Sequence, residues 1–239
     1  MDRSRRDFLI KGAIVGGAAW TAPSIVTVSS AMAANSPAVC RCTRSAFGLQ
    51  TAGLIAVGPD GVAGTSQECV ARTTPITVAA GLATLTAEAL CGHFGAGCEA
   101  MACVLNVDLT VGGSTLNINS FQTCVSSATT STAGTCTQCA DATGVLTFNG
   151  NAIPLPTGCN ALVALPSPLN ALLSILFNVQ SCSSGVLTVK GLVISILGTN
   201  EVITISESSA GCAGCTNCPA AGTCASCTTC ALCNATPTA

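Results

Sequence analysis

Alternation of apolar and polar positions dominates the chain after its first thirty-odd residues. Leu105, Val107, Leu109 and Val111 alternate with Asn106, Asp108 and Thr110, the period of two that puts one face of a strand in a core and the other in water. Gly112-Gly113 follows, and Leu116 and Ile118 resume the pattern, so residues 103–125 predict a hairpin with a two-residue turn. Leu146 and Phe148 lead into Asn149-Gly150 and on to Ile153, which predicts a second hairpin. Leu187 and Val189 share a face. Leu192, Ile194 and Ile196 continue only after a one-residue slip at Gly191, read as a bulge. Ile203 and Ile205 mark a last strand flanked by Glu201 and Glu207, both expected on solvated faces.

Earlier, Phe47–Val57 and Ile76–Leu90 are apolar and rich in Ala and Thr; the β-branched residues and the Pro75 start favour strand over helix in the second. Leu169–Phe177 fits helix or strand. The whole predicts an all-β domain, an antiparallel sandwich or a barrel-like sheet, over 34–211, followed by an irregular cysteine-rich tail over 212–239.

The start is of another kind. Arg5-Arg6 with Phe8 and Leu9 opens an apolar run that closes on Ala31-Met32-Ala33, which reads as a twin-arginine export signal over 1–33, cleaved after Ala33. Gly12–Ile25 is shorter than the ~20 residues of a membrane-spanning helix. Ala161–Val179 is interrupted by Pro166 and Pro168, so no transmembrane anchor is expected in the mature chain. The expected location is extracellular or at the cell surface, and the export machinery is the one partner the sequence names.

Removing 33 residues from 239 leaves 206, with four basic residues (Arg41, Arg44, Arg72, Lys190) against eight acidic ones, a net charge of −4. So few cations cannot neutralise a run of phosphates, which argues against nucleic acid and anionic lipid. The mature chain has neither Trp nor Tyr, and its five Phe are expected in the core. Stacking platforms for sugars or single-stranded nucleic acid are missing.

All 18 cysteines follow the signal, a density that in an exported chain reads as a disulfide framework. The body holds Cys40, Cys42, Cys69, Cys91, Cys98, Cys103, Cys124, Cys136, Cys139, Cys159 and Cys182. From Cys212 the spacing becomes regular: Cys215, Cys218, then Cys224, Cys227, Cys230 and Cys233. Both sets are odd, so complete pairing within one chain requires a bridge from body to tail, with Cys212 the natural candidate. The tail's CxxC units leave three readings open: disulfides, thiolates for zinc or an iron–sulfur cluster, and thiols that join other molecules. Outside that alternative no cofactor is expected.

His93 is the sole histidine and reads as a loop residue between Cys91 and Cys98. A Ser-His-Asp set would have to join it to Asp60, Asp108 or Asp141. No HExxH, GxSxG or GxxxxGK motif occurs, and the chain is not expected to be an enzyme.

Several segments together, Ser45–Gln50 (SAFGLQ), Leu146–Gly150 (LTFNG) with Ile153 and Pro154, Phe177–Gln180 (FNVQ), Gly185–Val189 (GVLTV) with Leu192–Ile194, and Asn200–Ile205 (NEVITI) ending at Gly211-Cys212, resemble the bacterial choice-of-anchor P family. The resemblance spans about Ser45 to Cys212. It implies an exported cell-surface β domain of undetermined activity, followed by an anchoring device that varies between members, and it carries over no catalytic residue. This chain departs from the pattern at its end. It has no sortase motif and no terminal membrane helix; the cysteine-rich tail stands there instead, with envelope or self-association partners expected through it.

Overall fold

A computed structural model describes residues 41–53, 56–63, 68–78, 82–95, 97–129 and 136–212. The export signal, with Arg5, Arg6, Phe8, Leu9, Ala31 and Ala33, lies outside the described residues, as do Cys40 and the tail cysteines from Cys215 on. Twelve strands are described, in chain order β1 (Cys42–Ala52), β2 (Val57–Asp60), β3 (Glu68–Val78), β4 (Ala83–Phe94), β5 (Cys98–Val111), β6 (Ser114–Thr129), β7 (Cys136–Phe148), β8 (Asn151–Ile153), β9 (Ala161–Leu162), β10 (Leu173–Ser183), β11 (Val186–Ile196) and β12 (Val202–Cys212). They form two antiparallel sheets, ordered β2-β1-β12-β11-β10-β9 and β3-β4-β5-β6-β7-β8. The architecture is a sandwich of two open sheets, with no closed barrel among the described residues.

The second sheet is a simple meander, and its turns follow from the sequence. Gly112 (φ 57°) and Gly113 (φ 79°) join β5 to β6, and Asn149 (φ 51°) and Gly150 (φ 76°) join β7 to β8. Both pairs supply the two positive-φ residues that a tight hairpin requires. Ser184 and Gly185 (φ 51° and 75°) turn β10 into β11 in the same way. Leu169–Ala171 is a single 3-10 turn and β10 begins two residues later, so the ambiguous apolar segment is mainly strand. Ile76–Leu90 is not one strand but the end of β3 and most of β4.

The slip at Gly191 is real, but the bulge reading is corrected. Lys190 pairs with Glu207 and Leu192 with Ile205 in unbroken register, so no residue is inserted. The inward face instead changes parity along a whole row, Gly48–Ser206–Gly191–Asn178, because Asn178 (φ 50°) and Ser206 (φ 56°) turn left-handed there. The facing sheet does the same around Ser120 (φ 51°): β5 buries Val104 and then Val107, and β6 buries Ile118 and then Phe121. A register irregularity lies here, between β6 and β7 at Asn119/Gln122, opposite Gly144. Glycine is required at 144 because a Cβ would run into the Phe121 ring. Phe121 is fully buried and meets Phe177 edge-on, the ring centroids 6.3 Å apart.

These rows divide the core. On one side lie Leu85, Val107, Leu109, Leu116, Ile118, Leu146, Ile175, Leu192, Ile194, Ile203 and Ile205, all fully buried. Beyond the rows most inward positions shrink, to Ala100, Ala102, Thr123, Ser127, Ala140, Ala142, Ser208 and Ala210, among which Val104, Val125, Leu187 and Val189 remain as larger buried side chains. Phe47, Phe121 and Phe177 are core residues as expected, whereas Phe94 and Phe148 are only partly buried.

Candidate functional site

Every cysteine among the described residues lies on the small-residue side of the divide. Cys42, Cys91, Cys98, Cys103, Cys124, Cys136, Cys139, Cys182 and Cys212 are disulfide-bonded. The Cys42–Cys98 bridge (Cα–Cα 5.3 Å) ties β1 of one sheet to β5 of the other. Cys42 stands opposite Cys212, so the first and last described strands meet at this bridge. Cys98 Sγ lies 3.4 Å from the carbonyl of Gly211, and Cys212 Sγ 3.5 Å from that of Ser127. On the neighbouring sheet Cys69, Cys91 and Cys103 are in cross-strand register.

Cys159 departs from the framework: its thiol is free and exposed. It sits in the bend between β8 and β9, beside Asn160 (φ 55°), whose amide donates to Asn178 O, and this anchors the bend along the sheet edge, away from the interior.

Hydroxyls replace hydrocarbon in this half. Thr123 Oγ1 is 3.0 Å from Ser206 Oγ and 2.7 Å from Ser208 Oγ. Ser206 donates to Ala102 O at 2.9 Å and Ser208 to Thr123 O at 3.1 Å, which stitches β12 to β5 and β6 across the sandwich. Gln138 Nε2 donates to Gly185 O at 2.8 Å. Buried polar groups with partners cost little; without them each costs about 1–3 kcal/mol. Arg44 adds a clamp that the sequence did not reveal. Its guanidinium lies 4.5 Å from the centre of the Phe94 ring and donates to Gly95 O and Gly97 O, holding the β4–β5 loop against β1.

His93 is on β4, not in a loop, and faces Met101 across the ladder; its neighbours Cys91 and Cys98 are not bridged to each other, since Cys98 is bound to Cys42. Asp108 is seven residues further along β5 than Met101, about 23 Å at strand spacing, and Asp141 is three strands from β4, about 14 Å away. Asp60 belongs to the other sheet, where the next residue, Gly61, packs against Leu90 and Gly92 of β4. The structure therefore separates His93 from Asp108 and Asp141. Glu99 is the acid near it, with its carboxyl pushed above the usual range by burial and drawn partly back by His93.

The expectation for Glu201 and Glu207 is corrected. Glu201 is 1% exposed, its carboxylate seated against Gly53, where a Cβ would collide with it. Glu207 is largely buried and pairs with Lys190 at 3.3 Å; burial pushes its carboxyl up and the ammonium pulls it partly back.

A groove of about 530 Å³ opens at the other end of the sandwich. β8, an edge strand, forms one wall with Phe148 and the Asn149 turn; Ala164, Leu165 and Pro166, which follow the opposite edge strand β9, form the other. No charged residue lines it.

Among the described residues no group of three or more His, Cys, Asp or Glu is placed to hold a metal ion. The candidate half-sites Cys215/Cys218, Cys224/Cys227 and Cys230/Cys233 lie outside them. No helix among the described residues is long and apolar enough to cross a membrane. Searches with family models, among curated proteins and among solved structures found no match to this chain.

Proposed function

We propose that this chain is an exported structural or interaction protein of the cell surface or extracellular space, whose sandwich is held by disulfides and whose cysteine-rich tail fastens it. The observation that carries the reading is the gathering of disulfide-bonded cysteines at the end where β1 begins and β12 hands over to the tail. Such a framework persists in oxidising surroundings, in agreement with the export signal read over 1–33. The resemblance to choice-of-anchor P proteins, with the tail in the anchor's place, supports the same role.

Mass spectrometry of the mature protein, alkylated with and without prior reduction, tests it. The expected result is a mass deficit of one hydrogen per bridged cysteine, with Cys159 among the alkylated thiols; the other 17 cysteines are an odd number, so at least one more is alkylated or joined to another molecule. Broad alkylation of a folded, unreduced protein would defeat the proposal. The cysteine spacing of the tail favours a second reading, a zinc or iron–sulfur carrier loaded before export. Without Trp or Tyr the mature chain is nearly transparent at 280 nm, so a cluster band would be conspicuous, and elemental analysis reads zinc.

A further inference from the structure

We propose that the groove beside β8 accepts, as an added strand, the uncharged cysteine-rich tail of a second copy of this chain. β8 closes its sheet, with β7 on one side and no strand on the other among the described residues. The unpaired edge of such a strand is a template for another chain. Here that edge borders an apolar channel formed by Phe148, Ile153, Leu165 and Pro166. A strand laid in it would gain main-chain hydrogen bonds from β8 and apolar contact from both walls.

The composition and starting point of the tail favour it as the occupant. Residues 213–239 contain no Asp, Glu, Lys, Arg or His and consist largely of Ala, Thr, Cys and Gly. An uncharged segment enters an uncharged groove with no ion to desolvate. The tail begins at Cys212, whereas the groove adjoins the Asn149-Gly150 turn, at the end where β12 starts. The 11 residues of β12 separate the two ends by about 34 Å, and the chain leaves β12 heading away from its own groove. Donor and acceptor at opposite ends make a heterologous contact that repeats from molecule to molecule without closing. The inference deepens the proposed structural role and rests on its claim that the tail carries the attachment.

Sedimentation velocity tests it on the oxidised mature chain carrying Cys159→Ser and alkylated without reduction, so that neither Cys159 nor the further unpaired thiol required by the odd remainder of 17 can link chains. The weight-average mass should climb with concentration, and the amides of Asn151–Ile153 should gain protection from hydrogen exchange in step. Ala152→Arg and Ala164→Arg place a charge on either wall at exposed positions. Each should weaken association about tenfold or more while leaving the thermal midpoint unchanged. A chain that stays monomeric at every concentration, or association that both arginine variants leave intact, overturns the proposal. So does a monomer whose β8 amides are protected at the lowest concentration, which would place the chain's own tail in the groove. None of these outcomes alters the disulfide count, so failure here is distinguishable from failure of the structural role.

Discussion

The two halves of the sandwich solve the same problem with different chemistry. On the groove side of the parity rows, Leu, Ile and Val from facing strands fill the interior, and burial at about 25 cal/mol per Å² holds the sheets together. On the other side most inward positions are Ala, Ser and Thr, which bury little apolar area, with Val104, Val125, Leu187 and Val189 the larger apolar side chains among them. There the sheets are joined by the Cys42–Cys98 bridge, the Thr123–Ser206–Ser208 network and the Arg44 clamp. Where inward positions are small, covalent and hydrogen-bonded links supplement packing, and here they lie where β1 begins and β12 ends.

Phe121 stands on the boundary, so Phe121→Ala probes both halves at once. The substitution should cost about 3–5 kcal/mol in chemical denaturation, because it empties the ring's site against Phe177. Replacing Cys42 and Cys98 together by Ala should cost about 4 kcal/mol on the loop-entropy estimate for a separation of 56 residues. Unlike the Phe121 change, that loss should register as local opening of the cysteine half, visible in peptide-level exchange before global unfolding.

Thr123→Val tests the hydroxyl stitching. It keeps the shape and removes the shared partner of Ser206 and Ser208, with an expected cost of about 1–3 kcal/mol in the thermal or denaturant midpoint. A smaller effect, about 0.5–1 kcal/mol, is expected for Arg44→Ala, and it should show as faster proteolysis at Gly95–Gly97.

The smallest effect concerns pH. The Glu207 carboxyl is raised in the folded state above its ordinary value of 4.5, so the native state holds its proton more tightly than the unfolded chain does. Its contribution is fully present below the unfolded value and is lost as pH rises through the folded one. Midpoints measured upward from about pH 4.5 should therefore carry a downward component that Glu207→Gln removes.

Much of the fold could be read from residues that dictate local geometry. Gly112-Gly113 and Asn149-Gly150 permit positive φ, and the alternation around them leaves little choice of face. The parity change at Gly191 was visible as a broken pattern, but its cause was not. Telling a bulge from a row of left-handed residues needs the neighbouring strands, because the deciding torsions lie at Asn178 and Ser206, on either side of it. Glu201 looked like a strand-end charge; only its apposition to Gly53, nearly 150 residues earlier, shows why it is buried. The cysteines announced a framework, yet the joining of Cys42 to Cys98 across two sheets and the exclusion of Cys159 depend on topology that spacing does not encode.

Hydrogen exchange of the purified protein before and after complete reduction tests the division most directly. Reduction should strip protection from the start of β1, the start of β5, the second half of β6, the first half of β7 and the end of β12. It should leave β4 before Leu90, the β5–β6 hairpin, the early part of β10 and the second half of β11 protected. Protection lost evenly across both halves, or lost from neither, would contradict the account.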